Sequence, residues 1–242
     1  IIYNNFNMRM IRKLLIELIK KIFGKEIFFY KIIKQNNKIK QNNKIVIEVG
    51  ANSGSDTINF LKQGYKVYCF EPTPELCVVL QNKFSNYKNF FLIPLAVDVS
   101  NSFRKFNIAK HNDWGVSSFY QFDDKIAKKE KWSNREDFYF DQKIITMTIR
   151  LDTFLKVFKI RTNISYLWID TQGNDLRVLK SLGKKIYQVK KGKCEASYKT
   201  KLYKGINNDY KTIQNFLKEK KFKTHIIEDS DGGMECDIHF TR

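Results

Sequence analysis

The feature that most constrains this chain is a short apolar segment that runs directly into a turn bracketed by two glycines. Residues 45–49 read Ile-Val-Ile-Glu-Val, and the turn Gly50-Ala51-Asn52-Ser53-Gly54 follows without a gap. A strand covered on both faces is apolar nearly throughout, and such glycines let the backbone turn sharply and approach a ligand closely. The junction therefore predicts the first strand of a parallel α/β sheet, with a ligand site at its carboxyl end.

The segments that follow alternate between strand and helix patterns, which is typical of a doubly wound sheet. One helix is predicted to end at Gly64, a second to open at Thr73-Pro74, and a third to cover Asp175–Leu182. Residues 101–150 are less regular, apart from a strand-like stretch at Ile144–Arg150. The other predicted strands are Lys66–Phe70, Phe90–Val97, Ser165–Ile169 and Tyr187–Glu195.

The end of the chain predicts a change of strand direction. A helix over Asp209–Lys221 is followed by strands at Thr224–Ile227 and Glu235–Thr241, joined by the turn Asp231-Gly232-Gly233. Two strands that close on each other form a hairpin, so one of them must run antiparallel to the rest. The predicted fold is a Rossmann-like α/β domain, a mostly parallel doubly wound sheet with a C-terminal antiparallel hairpin strand.

The first 43 residues differ in composition from the rest. Residues 9–23 predict a basic amphipathic helix, and residues 34–45 repeat a polar six-residue unit that is typical of a linker. We therefore divide the chain into an appendage, 1–43, and a catalytic domain, 44–242. Three interpretations of the helix stay open: packing on the core or a second subunit, lying on a membrane surface, or linking to an upstream domain.

Charge and cysteine content narrow the class of protein. The net charge of +19 makes nucleic acid or an anionic surface a candidate partner, although the excess of lysine, asparagine and isoleucine also fits a compositional bias. The four cysteines and three histidines lack the spacing of a zinc site, and no metal is predicted. No apolar run reaches the roughly 18–20 residues of a membrane span. We expect a cytoplasmic protein, peripheral at a membrane if the helix binds one.

An acid at the end of the second strand indicates a nucleoside-containing cofactor. Glu71 follows Gly50 by 21 residues, where a carboxylate can accept both ribose hydroxyls. The dinucleotide pattern G-x-G-x-x-G fails at Asn52 and Ser55, and Glu48 would repel a pyrophosphate but attract a sulfonium or ammonium group. The pattern favours S-adenosylmethionine over NAD; a purely structural turn beside a surface glutamate is the alternative.

Five segments in this order resemble the FkbM-type methyltransferases: VIEVGANSGSDT, VYCFEPTPE, RLDTFL, LWIDTQGNDLRVLKSLG and KCEASY. The resemblance covers roughly residues 44–242. It implies a class I methyltransferase fold, which adds a terminal hairpin to the sheet, and O-methylation of hydroxyl groups, often on sugars or glycans. The predicted cofactor-binding residues are Glu48, Gly50, Ala51, Asn52, Ser53, Gly54, Glu71, Pro72 and Ala96.

Asp170 is the predicted catalytic residue, because it ends an apolar strand at the edge of the sheet where ligands gather. It would take the proton of the attacking hydroxyl, or hold a divalent ion that lowers the pKa of that hydroxyl. A helix cap, or a carboxylate held by backbone N–H groups, is the structural alternative. His111 is a second candidate base, and the predicted acceptor-binding residues are Trp114, Ser117, Ser118, Gln172 and Glu195. In the family that the chain resembles, this position is Glu or Gln and in many members Glu, so Gln172 argues against a metal role.

Three functions stay open at this point. The first is an O-methyltransferase of sugar or glycan hydroxyls. The second is an RNA ribose 2′-O-methyltransferase that uses Asp170 and Glu195 with lysines such as Lys180 or Lys193, for which the positive charge would help to bind phosphates. The third is a cofactor-binding module without activity, tethering partners through residues 1–44. The absence of a stacking aromatic motif makes nucleic acid the less favoured acceptor.

Overall fold

The computed structural model describes residues 44–110, 114–123, 139–228 and 234–242. They fall into two compact units, one with residues 44–152 and 162–242 and one of which residues 153–161 are described. The predicted helix at 9–23, the polar repeat up to residue 43 and the turn at 231–233 lie outside the described residues. The boundary between appendage and catalytic domain stays a prediction.

Ten strands and five α-helices are described, here numbered in chain order. The strands are β1 (Ile45–Val49), β2 (Lys66–Phe70), β3 (Phe90–Ile93), β4 (Ala96–Val97), β5 (Ser102–Ile108), β6 (Gln142–Ile149), β7 (Ile164–Ile169), β8 (Lys191–Ser197), β9 (Lys223–Glu228) and β10 (Glu235–Thr241). The helices are α1 (Thr57–Lys62), α2 (Pro74–Phe84), α3 (Leu151–Val157), α4 (Asp175–Ser181) and α5 (Tyr210–Glu219).

The main sheet has seven strands in the order β3-β2-β1-β7-β8-β10-β9. Five neighbouring strands run parallel to one another: β3, β2, β1, β7 and β8. The direction in which strands are added to the sheet reverses between the neighbours β1 and β7. Because crossovers between parallel strands are right-handed as a rule, connections that leave such a reversal in opposite directions run over opposite faces of a sheet. A crevice opens at such a switch point, at the carboxyl ends of the two strands. All five residues of β1 are buried, as its apolar pattern predicted.

The last strand enters the sheet between two earlier ones. β10 pairs antiparallel with both β8 and β9, in continuous register from Cys236 to Thr241. Its side chains alternate between buried and half-buried positions, which fits a strand inside a sheet. The predicted Rossmann-like fold, a mostly parallel sheet with an antiparallel C-terminal hairpin strand, is confirmed.

A second, three-stranded sheet was not predicted. It has the order β4-β6-β5, with β5 and β6 antiparallel over seven residue pairs. The predicted strand Phe90–Val97 is therefore wrong in part: it divides at Pro94, which lacks an N–H to donate, and Ala96–Val97 joins the second sheet. The predicted stretch at Ile144–Arg150 belongs to β6 and begins two residues earlier.

Four of the five helices lie where helices were predicted, α3 was not predicted, and one strand prediction is shifted. Pro74 opens α2 after Thr73, and the Asp209 side chain accepts a hydrogen bond from the Thr212 N–H at the start of α5. The predicted strand Tyr187–Glu195 is wrong in its first half, because residues 183–188 form a 3-10 helix and β8 begins at Lys191. Among the described residues, no helix combines the length and apolarity needed to cross a membrane.

Residues 153–161 are the described part of the smaller compact unit. They contain most of α3, and the helix ends where the Phe158 and Ile160 N–H groups donate to the carbonyls of Phe154 and Leu155. The rings of Phe154 and Phe158 lie 4.6 Å apart between centroids, one helical turn from each other. The predicted RLDTFL segment thus begins a helix.

Candidate active site

A cavity of about 580 Å³, partly open to solvent, lies at the carboxyl ends of β1, β2 and β7. This is the switch point of the sheet, and the second sheet contributes a wall through β4 and β5. The lining is mostly apolar and aromatic with a few polar groups, which is the usual make-up of a small-molecule site. The predicted residues that line it are Gly50, Asn52, Glu71, Pro72, Ala96, Trp114, Ser117, Asp170 and Gln172.

The turn after β1 is fixed by Gly50, which has a φ of +84°. A Cβ at this position would lie 1.7 Å from the carbonyl oxygen of Asp170, so only glycine lets β1 and β7 come this close. The Gly50 N–H donates to the carbonyl of Phe70 at the end of β2, 3.0 Å away. One residue therefore holds three strand ends together beneath the cavity.

Glu71 points its carboxylate back toward this turn. One oxygen accepts a hydrogen bond from the Asn52 N–H at 3.0 Å, and the other accepts one from the Thr73 N–H at 2.8 Å. The side chain is buried, and burial raises its pKa to about 7, although these hydrogen bonds lower it. Each oxygen keeps a lone pair, so the ionised carboxylate can still accept hydrogen bonds from two ribose hydroxyls. These residues fit the nucleoside of S-adenosylmethionine.

Glu48 lies behind the turn and does not line the cavity. Its carboxyl accepts a hydrogen bond from the Thr57 hydroxyl at 2.7 Å, at the start of α1. Burial raises the pKa of Glu48 to about 8, and the nearby Asp56, Glu71 and Asp170 add to the shift. In this geometry the Glu48 side chain ties β1 to α1, and its predicted contact with the cofactor stays a prediction.

Asp170 follows β7 and lines the cavity beside Gly50. Burial raises the pKa of its carboxyl, and a hydrogen bond from the Gln172 side chain lowers it in part. The Gln172 Nε2 lies 2.9 Å from Asp170 Oδ1 and 2.8 Å from Glu195 Oε2. The structure therefore brings three of the predicted residues into one hydrogen-bonded group, with Glu195 behind Gln172 and away from the cavity lining.

Two residues that the sequence did not single out support this group. The Tyr203 hydroxyl lies 2.9 Å from Gln172 Oε1. The buried Asp175 accepts hydrogen bonds from the Thr171 hydroxyl and from the Glu195 N–H, at 2.8 and 3.0 Å, and burial raises its pKa to about 7. Asp175 was predicted only as a helix start, and no local pattern connects Tyr203 with a position 31 residues earlier.

The remaining predicted residues fall in different places. Ser118 does not line the cavity. Its hydroxyl donates a hydrogen bond to the carbonyl of Gln172, a lining residue, at 2.7 Å. Ala51, Ser53 and Gly54 belong to the turn but do not line the cavity. His111 lies outside the described residues, so its predicted role as a base stays a prediction.

The charge of the cavity differs from that of the whole chain. Although the chain has 44 Lys and Arg residues, none is among the described residues that line the cavity, whereas Glu71 and Asp170 are. Lys110 lies with its Nζ 5.6 Å from the Trp114 ring centroid, and it forms an ion pair with Glu75. Within the described ranges, no group of three or more His, Cys, Asp or Glu side chains has the arrangement of a metal site.

Comparison with known proteins gives a family match and several remote structural likenesses. The Methyltransferase FkbM domain matches residues 48–224, which is most of the chain. None of the curated proteins matches it.

Three solved structures illustrate the likenesses. An rRNA methylase from Streptococcus thermophilus is 11% identical with a TM-score of 0.42, over 90% of this chain and 97% of that chain. SMU.1697c from Streptococcus mutans, in complex with SAH, is 13% identical with a TM-score of 0.45, over 89% and 98%. Fibrillarin from Aeropyrum pernix, with bound S-adenosyl-L-methionine, is 9% identical with a TM-score of 0.44, over 88% and 74%. Sequence identities and TM-scores this low identify neither an activity nor an acceptor for this chain.

Proposed function

The chain belongs to the family of methyltransferases that share the FkbM domain, and we propose that its acceptor is a hydroxyl group of a sugar, a glycan or a similar small molecule. The enzyme is an S-adenosylmethionine-dependent methyltransferase. The cofactor supplies an electrophilic methyl group on a sulfonium. Glu71 is suited to the ribose hydroxyls, while Gly50, Asn52 and Pro72 line the adjoining part of the cavity.

The observation that carries the proposal is the sign of the charge around the acceptor position. The described lining of the cavity contains no Lys or Arg, and of its two acids Glu71 lies on the cofactor side and Asp170 on the acceptor side. A phosphate brought to the acceptor position would be repelled by Asp170, and it would lose hydration without gaining a cationic partner among the described lining residues. An uncharged polyol meets neither penalty, and its hydroxyls can hydrogen-bond to carboxylate, hydroxyl and amide groups. Trp114, Phe106 and Phe119 add aromatic surface for its apolar faces.

Asp170 supports a hydroxyl acceptor through its own chemistry. A sugar hydroxyl is a weak nucleophile at neutral pH, so a base that takes its proton accelerates methyl transfer, typically by about 10²–10⁴-fold. Burial raises the pKa of Asp170, which makes it a stronger base than an exposed aspartate. The proton of the hydroxyl would pass to this carboxylate as the oxygen–methyl bond forms. The second requirement is alignment of the oxygen, which the closely packed cavity walls supply.

An RNA ribose is the second candidate acceptor, because the net charge of +19 would attract a polyanion. That attraction acts over the surface, however, whereas the reacting hydroxyl must enter a cavity lined by acids. A third possibility, a cofactor-binding module without activity, predicts no transfer to any acceptor. We favour the sugar or glycan for these reasons.

The test measures the transfer of a labelled methyl group from S-adenosylmethionine to a panel of matched acceptors. The panel pairs neutral oligosaccharides with the same oligosaccharides bearing a phosphate or a uronic acid, and adds an RNA pool at low and at high salt. We expect transfer to at least one neutral acceptor, with a lower kcat/KM for its charged counterpart. Asp170→Asn serves as the inactive control for each acceptor.

Two results would contradict the proposal. Salt-sensitive transfer to RNA alone, mapped to a ribose 2′-oxygen, would establish the second candidate instead. Transfer that prefers the phosphorylated acceptor over its neutral partner would show that the acidic lining does not select the acceptor.

A further inference from the structure

The side chain of Gln172 occupies the space between two acids of the candidate site. Its Nε2 lies 2.9 Å from Asp170 Oδ1 and 2.8 Å from Glu195 Oε2, and its Oε1 lies 2.9 Å from the Tyr203 hydroxyl. Ionised carboxylates only accept hydrogen bonds, so the amide nitrogen must face them and the amide oxygen must face Tyr203. Both N–H donors of the amide are thereby used, and its oxygen shares the single hydrogen of the Tyr203 hydroxyl with the Val116 carbonyl, which also lies 2.9 Å from that hydroxyl.

The backbone of Gln172 is held as firmly as its side chain. Its φ is +50°, a left-handed conformation that a residue with a Cβ adopts only when its surroundings impose it. Its carbonyl accepts a hydrogen bond from the Ser118 hydroxyl at 2.7 Å. Gly173, also at positive φ, completes the turn that carries the amide back toward Asp170. Such strain at a site is usually tied to the positioning of a functional group.

We propose that Gln172 positions the Asp170 carboxylate for the acceptor hydroxyl and, by placing amide N–H groups between Asp170 and Glu195, lets the site work without a divalent cation. This inference rests on the proposed role of Asp170 as the base. Two carboxylates this close together need positive charge or hydrogen-bond donors between them, and a neutral amide supplies the donors.

The alternative residue at this position explains what the amide does. A glutamate at 172 would have nearly the same size but no donor, so three carboxylates would meet in one place. Such a group either keeps protons or binds a divalent cation through its oxygens. In the present chain the amide takes the place of that cation. Asp170 lines the cavity and accepts the Gln172 amide through Oδ1, which leaves its second oxygen, Oδ2, to act as the base.

The ionisation of Asp170 depends on charges from several elements, and the test must hold them constant. Lys193 on β8 favours the ionised carboxylate, whereas Asp237 on β10 and Asp56 before α1 oppose it. Lys193 and Asp237 are themselves paired at 2.5 Å. The other acids whose pKa values respond to Asp170 are Glu48, Glu71 and Asp175. Variants at position 172 leave all of these groups in place.

The first experiment measures Mn²⁺ binding by calorimetry with the full-length protein in the presence of S-adenosylhomocysteine, and it needs no acceptor. We expect no binding to the wild-type site and binding to Gln172→Glu, lost again in the double variant with Asp170→Asn. Gln214→Glu on α5 is the matched control, since it adds the same carboxylate away from the cavity. Mn²⁺ binding to the wild type that disappears in Asp170→Asn would overturn the inference.

The second experiment compares pH–rate profiles under single-turnover conditions. Gln172→Met keeps the length of the side chain but removes its hydrogen bonds. We expect the rate to fall about 10–100-fold and the acidic limb of the profile, where Asp170 loses its proton, to move to higher pH. Affinity for S-adenosylhomocysteine should stay within about twofold. If Gln172→Glu is too unstable to assay, the Gln172→Met variant decides alone. A rate and a pH profile in Gln172→Met that equal those of the wild type would overturn the inference. If no hydroxyl acceptor is found, the proposed function fails while the Mn²⁺ experiment still tests the amide.

Discussion

The two sides of the candidate site hold their carboxylates in different ways. On the side of β1 and β2, Glu71 is held by two main-chain N–H groups, those of Asn52 and Thr73. On the side of β7 and β8, Asp170 is held by the side chain of Gln172, which is in turn held by Glu195 and Tyr203. The first side thus depends on the path of the backbone, and the second depends on which side chains are present.

This difference matters for function. A carboxylate held by the backbone keeps its geometry when neighbouring side chains change, which suits the binding of a cofactor that never varies. A carboxylate held by side chains can be re-aimed by single substitutions, which suits a pocket that must fit a particular acceptor. The two sides meet at Gly50, whose turn contacts the carbonyl of Asp170.

The largest expected effect is at this meeting point. Gly50→Ala would place a Cβ 1.7 Å from the Asp170 carbonyl oxygen, so β1 and β7 would have to separate. We expect destabilisation of more than about 4 kcal/mol, or failure to fold, in urea unfolding experiments. Gly64→Ala is the matched control, because Gly64 has a similar φ of +78° but no atom within 4 Å of the added Cβ. It should cost only about 1–2 kcal/mol. Equal losses in the two variants would show that the close approach is unimportant.

The next effect concerns Glu48, the buried acid on β1 behind the Gly50 turn. Burial raises the pKa of Glu48 to about 8, so the folded protein keeps a proton that the unfolded chain loses near pH 4.5. Stability should therefore fall as the pH rises from about 4.5 to about 8, by roughly 4–5 kcal/mol from this residue. Glu48→Gln should flatten the decline. The measurement is the free energy of unfolding against pH, with Glu75→Gln on the surface as the control. An unchanged slope would mean that Glu48 is ionised when folded.

The third effect isolates the acceptor side. Asp170→Asn keeps the shape of the side chain but removes its basicity, and we expect kcat to fall about 10²-fold or more. Affinity for S-adenosylmethionine, measured by calorimetry, should change by no more than about threefold. Asp152→Asn, at the ion pair with Arg150, is the control. A collapse of affinity would assign Asp170 to the cofactor side, and no change in either quantity would make His111 the next base to test.

The same contrast explains what the sequence could and could not predict. The β1 strand, the Gly50 turn and Glu71 lie within 27 residues, and their strand and turn patterns are local, so fold class and cofactor followed from them. The division at Pro94 and the second sheet were missed, because β5 pairs with a strand 34 or more residues away. Gln172, Glu195 and Tyr203 meet only through tertiary packing. The sequence supplied the first two as candidates through a family resemblance, and it gave no signal for the third.

The smallest expected effect tests the cofactor side through pH. Burial raises the pKa of Glu71 to about 7 when no cofactor is bound, and the ribose hydroxyls need its ionised form as an acceptor. Between pH 6 and pH 8 the ionised fraction rises from about one tenth to about nine tenths, so affinity for S-adenosylhomocysteine should increase by about tenfold. The sign is fixed by linkage: a ligand that prefers the ionised acid binds more tightly as the pH rises through the pKa of the free protein. Glu71→Gln should bind S-adenosylhomocysteine weakly at both pH values. Its side-chain amide has an NH₂ group, which would face an N–H donor of Asn52 or Thr73 where the carboxylate has an acceptor. Glu75→Gln should bind like the wild type. If wild-type affinity is the same at both pH values, Glu71 is already ionised at pH 6, and the main-chain N–H groups outweigh its burial.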